Sequence, residues 1–157
     1  LSRSFRSRSI RCLIVTRPLR VLGIDLGSKR IGIAVSDRSG TIASPLMVLQ
    51  RSGSTKKDHD NIRLLVEEEE CEAVVVGLPL SMNGSIGKAA TAALAETKQL
   101  ATVVNVPVST YDERLTTVSA DRAMIEANMN AQARRRVVDK VAAAVMLQSW
   151  LDRQANL

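Results

Sequence analysis

Three carboxylates stand where solubility does not require them. Asp25 closes an apolar run at residues 21–24. Glu113, in YDERLTT, follows the fifth expected strand at once, and Asp139, in VVDKVAAAVMLQSW, opens an otherwise apolar helical stretch. A carboxylate set into an apolar element is costly unless something meets it. Each acid alone has an ordinary explanation. Asp25 could cap the following turn, Asp112 or Glu113 could be a loop acid or a cap for a helix at Thr116, and Asp139 could be an N-terminal acid favoured by the helix dipole. Together they suggest different chemistry. If the strands carrying Asp25 and Glu113 are near neighbours and the last helix packs over them, three like charges converge. Divalent cations would relieve that repulsion. Mg²⁺ prefers oxygen donors and is held by few carboxylates plus substrate phosphates. A pair of such ions roughly 3.5–4 Å apart activates a water and stabilises a leaving oxygen.

The elements that must position these acids are readable in outline. Residues 21–26 and 31–36 are strands joined by a tight turn at 27–30, with Gly27 able to take a positive φ. DRSG at 37–40 turns the chain into a third strand over 41–49, irregular at Pro45. After a polar loop at 51–58, Asp58 or Asp60 would cap a helix running to about Glu70, with Ile62, Leu65 and Val66 on one face. AVVVGLP at 73–79 reads as a strand buried on both faces. Helices are expected over 88–102, 116–128 and from about Ala131 to Leu151, with a fifth strand over 104–110. The order βββαβαβα, with a further helix before the last, describes an α/β fold with a mixed five-stranded sheet and helices on both faces.

Composition narrows the function classes. The chain of 157 residues fits one domain, and no run of 18 apolar residues exists to span a membrane. The formal charge of +6 is misleading. Six arginines lie in residues 1–20 with no acid among them, and removing them leaves 16 basic against 16 acidic residues. Residues 1–20 read as a disordered basic tail, with a transit peptide or a misplaced start as alternatives, and 21–157 as the single domain. Cys71 is expected to be a packed thiol, and Cys12 falls in the tail, so the two form no framework. His59 is expected in a solvated loop. Trp150 is assigned to the core and Tyr111 to the neighbourhood of the site.

The chain resembles the YqgF (RuvX) family of pre-16S rRNA nucleases and Holliday-junction-resolvase-like proteins with the ribonuclease H-like fold. The matching segments are GIDLGSKRIGIAVSD, VVVGLPLSMNGSIG, DERLTT and VDKVAAAVMLQSWL, in that order across about residues 21–152. The resemblance implies that Asp25, Glu113 and Asp139 are the catalytic acids and hold Mg²⁺ or Mn²⁺. Asp25 would bridge both ions, and Glu113 and Asp139 would each hold one. Asp112 is expected outside that set. The resemblance also implies a cytoplasmic, metal-dependent hydrolase of phosphodiester bonds that processes the 5′ end of precursor 16S rRNA.

Other residues suit a polyanionic substrate. Gly77, Gly84 and Gly87 flank a strand-to-helix loop where backbone and helix N-terminus could approach phosphate. Lys29 and Arg30 sit on the first turn beside Asp25. Arg114 contacts phosphate or pairs with Asp112, and Arg135 lies in the RRR run just before Asp139. Nucleic acid is therefore the expected partner. Resolution of a four-way DNA junction is the alternative activity, and it requires a homodimer because two symmetry-related cuts are needed. A catalytically silent nucleic-acid or ribosome-assembly module is the third. Actin-like and sugar-kinase ATPases also carry D-L-G before a hairpin, but they need two such domains facing a nucleotide.

Overall fold

In the computed structural model, residues 20–116 and 141–157 are described, together with the backbone but not the side chains of 131–140. The expected tail (residues 1–19) and the helix expected over 116–128 lie outside them, apart from Thr116. Arg20, counted with the tail, belongs to the folded body: its guanidinium meets Glu69 at 2.7 Å and its carbonyl accepts from the Glu72 amide.

Five strands form one sheet. They are β1 (Val21–Leu26), β2 (Arg30–Ser36), β3 (Ala43–Gln50), β4 (Ala73–Leu78) and β5 (Val108–Asp112). The sheet order is β3-β2-β1-β4-β5. The first three strands make an antiparallel meander, and β4 and β5 add parallel to β1. The irregularity at Pro45 is present. Ile33 faces Met47 and Ala34 faces Pro45, which leaves Leu46 as an extra residue in β3.

Helices α1 (Thr55–Glu68) and α2 (Lys88–Val103) cover one face, and α3 (Ala131–Ala155) covers the other. Side-chain alternation sorts each strand between the faces. Leu22, Ile24, Ile31, Ile33, Val74 and Val76 pack with Ile62, Leu65 and Leu100 under α1 and α2. Val21, Ala34, Val75 and Tyr111 pack with Ala143, Ala144, Met146, Leu147 and Leu151 of α3, and Trp150 lies partly buried beside them. Gly23 lets α3 come close, because a Cβ there would lie 2.8 Å from Leu147 Cβ. Gly23→Ala should therefore lower stability by about 1–3 kcal/mol through overpacking, read as a shift in the denaturant midpoint. Among the described residues no helix is long and apolar enough to cross a membrane.

Four expectations are corrected. Helix α1 begins at Thr55, capped by the Ser54 hydroxyl, which accepts from the Lys57 amide; Asp58 lies inside it and accepts from the Ser52 amide. This earlier start carries His59 onto the face of Ile62 and Val66. The ring is buried, 2 % exposed, and hydrogen-bonded to Glu96 at 2.9 Å, so it is no solvated loop residue. Strand β5 begins at Val108 rather than 104, because α2 runs on to Val103 and buries Leu100 and Val104. Gly27 does not take a positive φ. A Cβ there would instead collide with the Arg30 carbonyl oxygen across the turn.

Cys71 is buried as expected, and loss of solvent pushes its thiol up to about 11, which leaves it inert at neutral pH. Glu96 shows the opposite balance. Burial, the largest single influence, raises its pKa, but hydrogen bonds and charge from Arg51 and His59 together outweigh it and hold the carboxyl below its ordinary 4.5. A lowered folded pKa contributes stability above the ordinary value, and that contribution is lost as pH falls through the folded one. The stability gap between wild type and Glu96→Gln should thus be full at pH 6–7 and shrink below about pH 4.5, as measured by urea titrations across that range.

Candidate active site

Asp25 and Glu113 meet on the α3 side of the sheet, at the C-terminal ends of the parallel strands. The alternation Val21, Gly23, Asp25 sets Asp25 on the face that α3 covers, as the packing of Val21 and the approach of Leu147 to Gly23 show. The β1–β4 register pairs Ile24 with Val76, which brings Asp25 level with Gly77. Gly77 shares the α3 face with Val75 and makes room for Glu113. A Cβ on Gly77 would lie 2.5 Å from Glu113 Oε1 and 3.3 Å from its Cδ. Glu113 opens the short 3₁₀ turn Glu113–Leu115 that ends β5, and this turn folds its side chain back over β4.

Electrostatics sets this carboxyl apart. Burial raises the Glu113 pKa above its ordinary value, and the negative charges of Asp25 and then Asp112 raise it further. Asp112 behaves in the reverse sense. The hydrogen bond from Arg114 is the main cause of its lowered pKa. Its Oδ2 accepts from Arg114 Nη2 at 2.6 Å, and its Oδ1 caps the Arg114 amide at 2.9 Å. Asp112 is thus spent on the turn, while Glu113 faces Asp25.

Asp139 lies in α3, four residues before Ala143 and eight before Leu147, both of which pack on this face. Its side chain is outside the described residues. Because the helix already runs from Ala131, Asp139 lies within it rather than at its opening. The first-turn dipole effect therefore does not account for an acid here. Among the described residues no three acidic, His or Cys side chains form a metal-holding group; Asp25 and Glu113 are the described pair.

A family model described as RuvX, Holliday junction resolvase, matches residues 19–153. The chain belongs to the RuvX family. Among its RuvX relatives, a protein of Thermoanaerobacter pseudethanolicus is 42 % identical over 139 residues, covering 88 % of this chain and 99 % of its own. One from Caldanaerobacter subterraneus subsp. tengcongensis is 45 % identical over 139 residues, with the same coverage. Both carry the name "Putative pre-16S rRNA nuclease". In fold, this RuvX chain is similar to Thermus thermophilus RuvC in complex with a Holliday junction substrate. The TM-score is 0.56 at 19 % identity, covering 87 % of this chain and 96 % of that one. A second RuvC structure from T. thermophilus gives 0.53 at 17 % identity, covering 88 % and 97 %. The architecture is ribonuclease H-like, as the resemblance implied.

The remaining candidates divide. Lys29 and Arg30 are exposed on the β1–β2 turn, at the same end of β1 as Asp25. Gly84 takes a φ of +84° in the loop after β4, and a Cβ there would sit 3.2 Å from Arg114 Nη1. Gly87 is the N-cap of α2 and supplies no side-chain cap. Gly77 does not meet open space; it faces Glu113. Arg114 pairs with Asp112 and reaches the Met82 carbonyl at 3.4 Å, which links the turn to the 79–87 loop. Arg135 lies on α3 with its side chain outside the described residues. Tyr111 is buried against α3, its hydroxyl hydrogen-bonded to Ser149 Oγ at 2.8 Å, so it offers no face for base stacking. His59 and Glu96 were missed as a pair. The signal for them was Ser54, a capping residue that places His59 three positions before Ile62 on the buried face.

Proposed function

We propose that this RuvX-family protein is a metal-dependent nuclease that hydrolyses phosphodiester bonds in precursor 16S rRNA. The observation that carries the reading is the Glu113 carboxylate, set over Gly77 and held at a raised pKa by burial and by Asp25 and Asp112. A second carboxylate pressed towards a first in a half-buried site is the arrangement a divalent cation stabilises. The donor set suits the hard ions Mg²⁺ and Mn²⁺, since Asp25, Glu113 and Asp139 offer oxygen alone. These three would hold the metal, which when bound lowers the pKa of a water and offsets charge on the leaving oxygen.

The protein's own groups would do the rest. The strand ends fix Asp25 and Glu113 relative to each other. Lys29 and Arg30 would meet backbone phosphates beside them, as Arg135 would from α3, and the α2 N-terminus at Gly87 would offer amides to another. Such contacts recognise backbone and shape rather than base identity. The names of the relatives support precursor rRNA as substrate. The family description and the likeness to RuvC in fold support a second reading, resolution of a four-way DNA junction by a dimer.

Labelled precursor 16S rRNA 5′ fragments and four-way DNA junctions, each with Mg²⁺, Mn²⁺ or chelator, test the two readings. Metal-dependent cutting of the rRNA is expected. Cutting of the junction alone by a dimer would favour the second reading. Folded protein that cuts neither would point to a silent assembly module.

A further inference from the structure

On the face of the sheet opposite the two carboxylates, an arginine ties the end of β3 to the β1–β2 turn and to α2. Arg51 is the first residue after β3. Its amide donates to the Lys29 carbonyl at 3.0 Å, and its Nε donates to the Gly27 carbonyl at 3.0 Å. Its Nη1 and Nη2 reach Glu96 Oε2 and Oε1 of α2 at 2.7 and 2.9 Å. Glu96 Oε2 also meets His59 Nε2 of α1 at 2.9 Å. The next residue, Ser52, donates its amide to Asp58 of α1 at 3.0 Å. Arg51 and Glu96 are only 19 % and 16 % exposed, so solvent screens this pair weakly.

The carbonyls that Arg51 grips belong to the turn that carries the site. Gly27 lies two residues after Asp25, and its amide donates to the Asp25 carbonyl at 3.1 Å. Lys29 and Arg30 complete that turn. Glu96 lies on α2, whose N-terminus ends the glycine loop. A planar guanidinium bonded to a carboxylate through two N–H groups and to a carbonyl through a third has one orientation; an ammonium cannot reproduce it.

We infer that Arg51 is a positioning residue. Its guanidinium, through the Gly27 carbonyl, fixes the turn bearing Asp25, Lys29 and Arg30 relative to α2, with Glu96, itself held by His59, keeping the guanidinium in place. The link to catalysis rests on the proposed nuclease activity. The link to the turn does not.

The test compares wild type with Arg51→Lys, which keeps the charge, and Glu96→Gln, which keeps an acceptor for Arg51. Amide hydrogen exchange is measured across residues 25–30 without metal or substrate, followed by a Mn²⁺ titration and by kcat and KM on the cleaved substrate. For Arg51→Lys we expect exchange at 26–30 to accelerate at least tenfold while the core amides of β4 keep their protection. Mn²⁺ binding should weaken several-fold, and kcat should fall on the order of tenfold with KM changed little. Glu96→Gln should show the same pattern, weaker. Unchanged exchange at 26–30 in Arg51→Lys would overturn the inference, and so would equal acceleration throughout the sheet, which would mean a general loss of stability. If wild type cuts nothing while exchange still accelerates locally, the nuclease reading fails and the role of Arg51 in the turn stands.

Discussion

Replacing Glu113 by glutamine should reduce cleavage on the order of a thousandfold, about 4 kcal/mol of transition-state stabilisation, without weakening the fold. The two halves of this expectation have separate origins. Glutamine keeps the size of the side chain, so its seat over Gly77 remains filled. On the proposed assignment it removes the charge that a metal ligand must carry, and a lost ligand should exceed the 10–100-fold that outer hydrogen-bond partners of a metal site are worth, by roughly another decade.

The stability half follows from the sign of the pKa shift. The Glu113 pKa is raised first by burial and then by Asp25 and Asp112. A group raised in the folded state favours folding while protonated, below its ordinary pKa, and that benefit is lost as pH rises through the folded value. Once ionised, Glu113 therefore opposes folding, and glutamine resembles the protonated form. The melting temperature of Glu113→Gln at pH 7 should equal or exceed the wild-type value. The difference should close towards pH 4, where wild-type Glu113 is itself protonated. Added Mn²⁺ should raise the wild-type melting temperature and leave the variant nearly unmoved. A variant that melts well below wild type while cutting normally would show that Glu113 is a structural acid.

Gly77→Ala is the second substitution with a large expected effect, and it separates two roles for one glycine. The sequence suggests that Gly77 lets substrate approach the backbone. The structure puts the Glu113 carboxylate there, 2.5 Å from where a Cβ would stand. Something must move, and the cheapest movement is rotation of the carboxylate, the free end of a flexible side chain. Stability should change by less than about 1 kcal/mol, since alanine in a strand also lowers the entropy of the unfolded chain. Function should suffer far more. A carboxylate displaced by about 1 Å from a reacting geometry costs on the order of a hundredfold in rate. Steady-state kinetics decides between the roles: a fall in kcat with KM nearly constant identifies Gly77 as the seat of Glu113, whereas a rise in KM alone would identify it as a substrate contact.

The residues differ in how plainly they declared these positions. Strands β1, β2 and β4 were legible because their side chains are packed on both faces, so the apolar pattern is continuous and bounded by Asp25, Asp37 and Pro79. The sequence pattern starts strand β5 too early because it is an edge strand with Ser109 and Thr110 exposed. The apolar residues before it belong partly to the end of α2. The start of α1 is hard to read because a polar first turn, Thr55 to Asp58, has the composition of a loop unless Ser54 is recognised as its cap. The environment of His59 depends on that boundary, since a histidine in a loop is solvated and the same histidine one turn before Ile62 is buried. Asp25 and Glu113 could be named from the sequence but not brought together. Their proximity depends on the sheet order, which places β4 between β1 and β5, and on a glycine whose missing side chain is the space that Glu113 fills.

One consequence concerns the order in which the protein is made. Among the described residues, α3 alone covers the face of the sheet that carries Asp25 and Glu113. Once β5 has emerged from the ribosome but α3 has not, the five strands of the described sheet are present, yet Val21, Ala34, Val75 and Tyr111 still lack the helix that buries them. Such a nascent chain exposes a greasy sheet face that invites chaperones or aggregation. On the proposed assignment it also lacks Asp139. The protein would therefore stay catalytically silent while it emerges beside the ribosome's own RNA, and docking of α3 would close the core and complete the site in a single event.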